Sequence, residues 1–266
     1  MSSDVILFPD FEKLKAEVDK LRTELSMLIY ERDELVLVEC KNLEMEYMLA
    51  LGDLEYKAYE LHCTVLRLKR KTELIQARKN RQEKIILSDI EAALDEEFAD
   101  YQARLEEQIG KMNDAIEREK CPTLSEKDSL ELKKLYHAVV KALHPDLNPG
   151  IGPEKLTLFH NAVRAYEHGD LKGLRLISAM VCEPAAVMQT EDGLSALKQE
   201  RERLCGLIAG LREEIAKIKS EYPYTVKELV GSRDKIAEKR AELTELIDQL
   251  REVAAAYEKT LKEMLR

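Results

Sequence analysis

Residues 14–35 read LKAEVDKLRTELSMLIYERDEL, and their apolar side chains recur with a period of seven. The positions that share this period are Leu14, Leu21, Leu28 and Leu35, with Val18 and Leu25 between them. Apolar residues spaced alternately three and four apart form the contact line of a coiled coil. This stretch therefore predicts a long helix that packs against a second helix.

Few residues interrupt helices elsewhere in the chain, so its helices can be placed from its glycines and prolines. Gly52-Asp53 is a candidate stop, because glycine ends a helix and aspartate begins the next one. The predicted N-terminal helices span residues 10–51, 53–79 and 88–120, and the short connection at Gly52 predicts that the first two are antiparallel. Residues 193–266 predict an antiparallel helical hairpin that turns at Tyr222-Pro223-Tyr224.

The composition favours an all-α coiled-coil protein. Charged residues make up 35% of the chain and aromatic residues 5%, with only 10 glycines and 7 prolines. Abundant Glu, Lys, Leu, Arg and Ala with few helix breakers is typical of long helices. The apolar seams must be buried within the chain or against a second copy, and both alternatives, including a homodimer, stay open at this point.

Charge and cysteine content narrow the functional classes. The net charge of −10 argues against a nucleic-acid-binding protein, which needs a concentrated positive surface. The 5 cysteines are widely spread, with no Cys-x-x-Cys pair, which predicts reduced thiols and no zinc site. Residues 1–9 do not resemble a secretion signal, and no apolar run reaches the ~18 residues of a membrane helix. We expect a cytoplasmic protein that needs no cofactor and does not enter a membrane.

A compact section, residues 121–182, lies between the coiled-coil segments. Thr123 and Glu126 fit a capping box that begins a helix. That helix has an apolar stripe at helical spacing: Leu132, Leu135, Tyr136, Val139, Val140 and Leu143. Pro145 ends it, a loop rich in turn residues follows, and Pro153 suits the start of a second helix that ends at Gly169.

The sequence from Leu132-Lys-Lys-Leu-Tyr136 through His144-Pro145-Asp146 to Asn148-Pro149 resembles the J-domain (DnaJ-like) co-chaperones. Phe159 and Tyr166 fill the aromatic positions of the helix that follows the tripeptide in that family. The resemblance extends from Lys127 to Ile177 and covers the family's second helix, its loop and its third helix.

In that family the tripeptide and the outer face of the second helix dock on a DnaK-type ATPase chaperone and stimulate its ATP hydrolysis. The resemblance implies that His144, Pro145 and Asp146 form the essential loop and that Asn148 helps to shape it. It also implies that Lys133, Lys134 and Tyr136 belong to the docking face, with Lys141 beside the tripeptide. Because hydrolysis occurs on the partner, the chain itself is not expected to be an enzyme and has no catalytic residue.

The chain departs from the family pattern at several positions. His137 and Ala138 stand where basic residues are usual, and Ala142 replaces a frequent lysine. The family's first helix is absent, and we expect the C-terminal part of the 88–120 helix to pack in its place. The glycine/phenylalanine-rich linker and the zinc-binding cysteine repeats of full-length DnaJ are absent as well.

Two hypotheses follow. In the first, the chain is a J-domain-like co-chaperone whose coiled coils provide targeting to an unknown client or partner, or dimerisation. In the second, it is a coiled-coil scaffold whose J-like fold no longer stimulates an ATPase. The basic run of residues 67–71 could bind nucleic acid or an acidic partner, but a charged solvent-facing side of a long helix explains it as well.

Overall fold

The computed structural model describes residues 9–120, 124–181 and 191–266, and these residues form helices and connecting turns without a β-strand. The predicted all-α class is thus confirmed. The chain divides into two compact units. The first unit combines the described residues of Met1–Lys41 and Cys121–Thr225, and the second combines Asn42–Lys120 with Val226–Arg266.

Residues 9–80 form one uninterrupted helical stretch. It consists of α1 (Pro9–Asp33), a π-helical segment (Glu34–Glu39) and α2 (Cys40–Asn80). The predicted helix end at Gly52 is therefore wrong, and so is the predicted antiparallel pair on either side of it. A Cβ atom on Gly52 would lie 2.6 Å from Met112 Cε of the second unit. The missing side chain makes room for a packed methionine and does not end the helix.

The π-helical segment interrupts the α-helical hydrogen bonding of this long helix between α1 and α2. The Cys40 amide donates to the Leu35 carbonyl, five residues back, which is the bond of a π turn. Such a turn accommodates one extra residue in the helix.

In the first unit, α1 packs along α8 (Glu191–Ser220), and the two helices are parallel. Glu24 pairs with Arg212, and one heptad further on Glu31 pairs with Lys219 at 2.7 Å. Because both pairs advance in the same direction, the helices have the same orientation. The predicted hairpin of residues 193–266 is wrong, since α8 belongs to the first unit and the last helix to the second. A heptad pattern predicts a partner helix but does not specify which one.

Three short helices complete the first unit: α5 (Glu126–Leu143), α6 (Pro153–Glu167) and α7 (Leu171–Met180). Ser125 is the N-cap of α5, because its hydroxyl accepts the Asp128 amide at 3.1 Å. The predicted cap, Thr123, lies outside the described residues. One hydrophobic core joins these helices to α1 and α8; its fully buried members include Leu25, Ile29, Tyr136, Val140, Ala162, Leu174 and Leu204.

The predicted helix of residues 88–120 forms two helices that meet at Phe98, α3 (Leu87–Glu97) and α4 (Ala99–Glu119). Both belong to the second unit, so the expectation that this segment packs on the α5–α7 helices is wrong. The place is taken by α1 and α8, whose Val18, Leu25 and Ile208 share the core with Val139 and Leu143.

The second unit is built on α2. The α2 helix reverses into α3 around Gln82, a non-glycine residue with φ of 56°. Arg67 of the basic run pairs with Glu91 and Asp95 of α3, both at 2.7 Å, and Arg70 pairs with Glu97 at 2.8 Å. After a 3₁₀ turn (Tyr224–Val226) and the short α9 (Lys227–Val230), α10 (Arg233–Met264) adds Leu261 to a core of Ile75, Ile90 and Leu94.

Candidate partner-binding site

The His144-Pro145-Asp146 tripeptide forms the turn that ends α5. The His144 amide still donates to the Val140 carbonyl at 2.9 Å, but its backbone is extended, with ψ of 130°. Proline disfavours helical geometry in the residue before it and has no amide proton to continue the helix. The sequence therefore ends α5 at Leu143 and directs the chain into the loop.

Hydrogen bonds to His144 fix the loop. The Asp146 amide donates to His144 Nδ1 at 3.1 Å, and the amides of Leu147 and Asn148 donate to the His144 carbonyl at 3.1 and 3.0 Å. Since Nδ1 is an acceptor here, the neutral ring carries its proton on Nε2. The loop thus has one defined shape, in which the histidine ring bonds the aspartate backbone.

The His144 ring is buried, with 7% of the residue exposed. It meets Phe159 of α6 edge-on, with ring centroids 5.2 Å apart. Burial lowers the His144 pKa, and the Asp146 carboxylate opposes this shift; Arg32 lowers the pKa further, and Asp33 opposes it. The ring is therefore held in its neutral form at pH 7.

Asn148 links the loop to α5 by side-chain hydrogen bonds. Its side-chain amide donates to the carbonyls of Lys141 and His144, at 3.3 Å in each case. These carbonyls lie at the C-terminal end of α5, whose last carbonyls have no helical amide partner. The Asn148 side chain thus links the loop to the end of α5, and its role in partner binding stays a prediction.

Asp146 is the accessible charged group of the tripeptide. Its side chain is 43% exposed, and its Oδ2 lies 4.0 Å from His144 Nδ1. The Arg203 pKa is raised mainly by a hydrogen bond to Glu200, and the Asp146 carboxylate adds to the shift. The Asp146 carboxylate is therefore accessible at the surface.

Tyr136 is fully buried and faces α1. Its ring stacks on that of Tyr166, with centroids 4.0 Å apart, and its hydroxyl donates to Asp33 Oδ2 at 2.6 Å. Burial and the neighbouring Asp33 carboxylate raise the Tyr136 pKa. Tyr166 donates likewise to the Glu34 carboxylate. The two tyrosines are neutral donors to adjacent acidic residues of the long helix.

Lys133 lies on the same side of α5. Its Nζ is 2.5 Å from Glu34 Oε1, and this hydrogen bond raises the Lys133 pKa. Glu34 thus receives a charged donor from α5 and a hydroxyl from α6. Lys133 and Tyr136, both predicted as docking residues, are bound to the acidic pair Asp33–Glu34.

The other two predicted lysines, Lys134 and Lys141, are exposed on the opposite side of α5. Leu130 lies one helical turn before Lys134 and is 60% exposed. The structure therefore divides the predicted docking face. Lys134 and Lys141 are exposed to solvent, Lys141 next to the loop, whereas Lys133 and Tyr136 point toward α1.

Two residues at this site were not predicted, Asp33 and Glu34. They occupy coiled-coil helices, where charged residues are ordinarily solvated. A signal was present in the sequence, because Ile29 and Tyr30 are apolar or aromatic yet lie off the Leu14–Leu35 seam. Such off-seam residues indicate a second buried face, and Ile29 is fully buried.

Within residues 9–120, 124–181 and 191–266, His, Cys, Asp and Glu side chains do not cluster in a way that could hold a metal ion. In the same residues, none of the helices combines the length and apolarity needed to span a membrane.

Comparison with protein-family models, curated proteins and solved structures finds no match to this chain.

Proposed function

We propose that this chain is a J-domain-like co-chaperone that docks on a DnaK-type ATPase chaperone and stimulates its ATP hydrolysis. The observation that carries the proposal is the tripeptide loop between α5 and α6. His144 and Asn148 fix its backbone, and the Asp146 carboxylate is left accessible at its tip. The resemblance of residues 127–177 to the J-domain family supplies the identity of the partner.

The site can act by docking without performing chemistry itself. A fixed loop loses little conformational entropy when it binds, so its carboxylate can accept a cationic donor of the partner at low cost. Lys134 and Lys141 on the exposed side of α5 would attract an acidic surface and orient the encounter. ATP would be hydrolysed in the partner, and we expect the protein to work in the cytoplasm with a reduced set of thiols.

The test is single-turnover ATP hydrolysis by a purified bacterial DnaK-type chaperone. Wild-type protein should accelerate hydrolysis, and His144→Gln and Asp146→Asn should each reduce the acceleration about tenfold or more. His160→Gln is the matched control, because His160 is an exposed histidine of α6 outside the loop. Since His144 is buried, circular dichroism must show that its variant is folded; Asp146→Asn removes only a half-exposed charge.

A second candidate, a coiled-coil scaffold without ATPase stimulation, is favoured by one observation. Lys133 and Tyr136 are already bound to Glu34 and Asp33, so part of the predicted docking face is occupied. If folded wild-type protein fails to stimulate the chaperone, this candidate gains support. Sedimentation analysis would then show whether the coiled-coil helices bind a second copy of the chain.

A further inference from the structure

The α5 helix meets charged groups of the long helix at two places. Lys133 pairs with Glu34, and the Tyr136 hydroxyl donates to Asp33. In each place the long helix supplies the complementary group: a carboxylate for the lysine and an acceptor for the hydroxyl.

We propose that the α1–α8 coiled coil is an internal lid over the docking face, and that a DnaK-type partner must displace it to bind fully. This inference rests on the proposed function. A partner that recognises Lys133 and Tyr136 needs the same complementary groups that Glu34 and Asp33 provide. The internal and the external contacts are therefore mutually exclusive.

The polar part of the contact lies at the surface, above the hydrophobic core in which Leu25, Ile29 and Leu204 are buried together with α5, so opening also exposes apolar side chains. The Lys133 side chain is 40% exposed. Exposed ion pairs contribute little to stability, since water competes for both charges. The α5, α6 and α7 helices also pack on one another through Val140, Ala162 and Leu174, so they keep contacts of their own when the lid opens.

The acidic pair lies at a special place in the long helix. Asp33 is the last residue of α1, and Glu34 is the first residue of the π-helical segment. π-helical departures from α-helical hydrogen bonding are uncommon in proteins, but where they occur they are often found at functional sites. Here the departure coincides with the residues that hold α5 and α6, so a change in the helix at this point would alter both contacts at once.

If only open molecules bind, the apparent affinity for a partner is the intrinsic affinity multiplied by the fraction of molecules that are open. A substitution that weakens only the closed state should therefore strengthen binding. Glu34→Gln removes the charge that holds Lys133 and weakens the bond to Tyr166, while Lys133, Tyr136 and Asp146 remain unchanged. We expect this variant to bind the partner about five times more tightly, and Asp33→Asn/Glu34→Gln more tightly still.

The experiment measures binding of an ATP-loaded bacterial DnaK-type chaperone to the full chain by fluorescence anisotropy. Wild type, Glu34→Gln and the double variant are compared with Glu24→Gln, which removes the same charge from α1 at a pair with Arg212. Hydrogen–deuterium exchange of residues 133–147 is measured on the same proteins without the chaperone. It reports whether α5 is released from α1 independently of any binding.

Tighter binding by the Glu34 variants together with faster exchange in α5, neither seen in Glu24→Gln, supports the lid. Equal affinity of all variants overturns the lid and leaves the proposed function intact. Unchanged exchange in the double variant overturns the lid as well, because the acidic pair would then not hold α5. If exchange rises but no variant binds the chaperone, the proposed function fails, and the lid fails with it.

Discussion

The Tyr136 hydroxyl donates a 2.6 Å hydrogen bond to the Asp33 carboxylate, and the two residues are 103 positions apart in the sequence. Both are buried. Asp33 also accepts from the Arg32 guanidinium at 2.6 Å, so its charge is compensated where water has little access. This bond joins the helix that carries the tripeptide to the coiled coil that covers it.

Removing that hydroxyl should destabilise the protein. Tyr136→Phe keeps the stacked ring but leaves a buried carboxylate with one donor fewer, which typically costs about 1–3 kcal/mol. We expect a lower midpoint of urea unfolding, followed by circular dichroism. Tyr257→Phe, at a half-buried position of α10, is the control and should leave the midpoint nearly unchanged. An equal midpoint for Tyr136→Phe and wild type would show that the buried bond contributes nothing.

His144 should make stability depend on pH. Its pKa in the folded protein lies below the ordinary value of 6.5, chiefly because of burial, so the unfolded chain binds the proton more readily. The free energy of unfolding therefore includes a contribution that is complete above about pH 6.5 and is lost as the pH falls through the folded pKa. Asp146, Arg32 and Asp33 are the charged groups that act on the ring.

The measurement is urea unfolding at several values between pH 7.5 and 5. Wild type should lose stability as the pH falls, and His144→Gln should lose less over the same window, because glutamine does not titrate. Carboxylates also titrate toward the acidic end, so the difference between the two proteins is the informative quantity. His160→Gln should follow the wild-type curve. Parallel curves for His144→Gln and wild type would contradict the assignment.

Part of this fold follows from the sequence because local rules determine it. Proline after His144 ends α5, Pro153 begins α6, and the apolar stripe from Leu132 to Leu143 identifies the buried face. The pairing of the long helices could not be predicted from the sequence. The seam of Leu14–Leu35 fits any apolar helix of similar length, and its partner, α8, lies some 180 residues away in the sequence. The role of Gly52 could not be decided from the sequence either, because close packing and a helix end both favour glycine.

The candidate site likewise has a part that could be predicted from the sequence and a part that could not. The loop could be predicted, because His144, Asn148 and the prolines act on their own neighbours in the chain. The roles of Lys133 and Tyr136 could not, because they depend on Asp33 and Glu34 of a distant helix. From sequence alone, a lysine on the polar side of an amphipathic helix is predicted to face solvent, because its tertiary partner is not known.

The basic run of residues 67–71 should act as part of the α2–α3 contact. Arg67 pairs with Glu91 and Asp95, so Arg67→Gln should lower stability by roughly 0.5–1 kcal/mol at low salt, and less at high salt. Lys69→Gln, an exposed position in the same run, is the matched control and should have no effect. Urea unfolding at two salt concentrations distinguishes them. If both variants behave alike, the pairing of Arg67 with α3 does not stabilise the α2–α3 contact.

Two helical glycines should respond differently to alanine. A Cβ on Gly110 of α4 would meet open space, so Gly110→Ala should gain the full advantage of alanine in a helix, about 0.5–1 kcal/mol. A Cβ on Gly52 would lie 2.6 Å from Met112 Cε and 3.1 Å from Met48 Cε. Both atoms end flexible side chains, so Gly52→Ala should displace them and gain less than Gly110→Ala.

Comparison of the two variants separates helix propensity from packing. Urea midpoints should rise for Gly110→Ala, and should rise less or stay level for Gly52→Ala. Gly52→Ala combined with Met112→Leu removes the methyl group in the way and should recover part of the missing gain, because leucine is shorter and packs with fewer rotamers. A large loss of stability in Gly52→Ala, not relieved by Met112→Leu, would mean that the helix backbone itself requires glycine at this position.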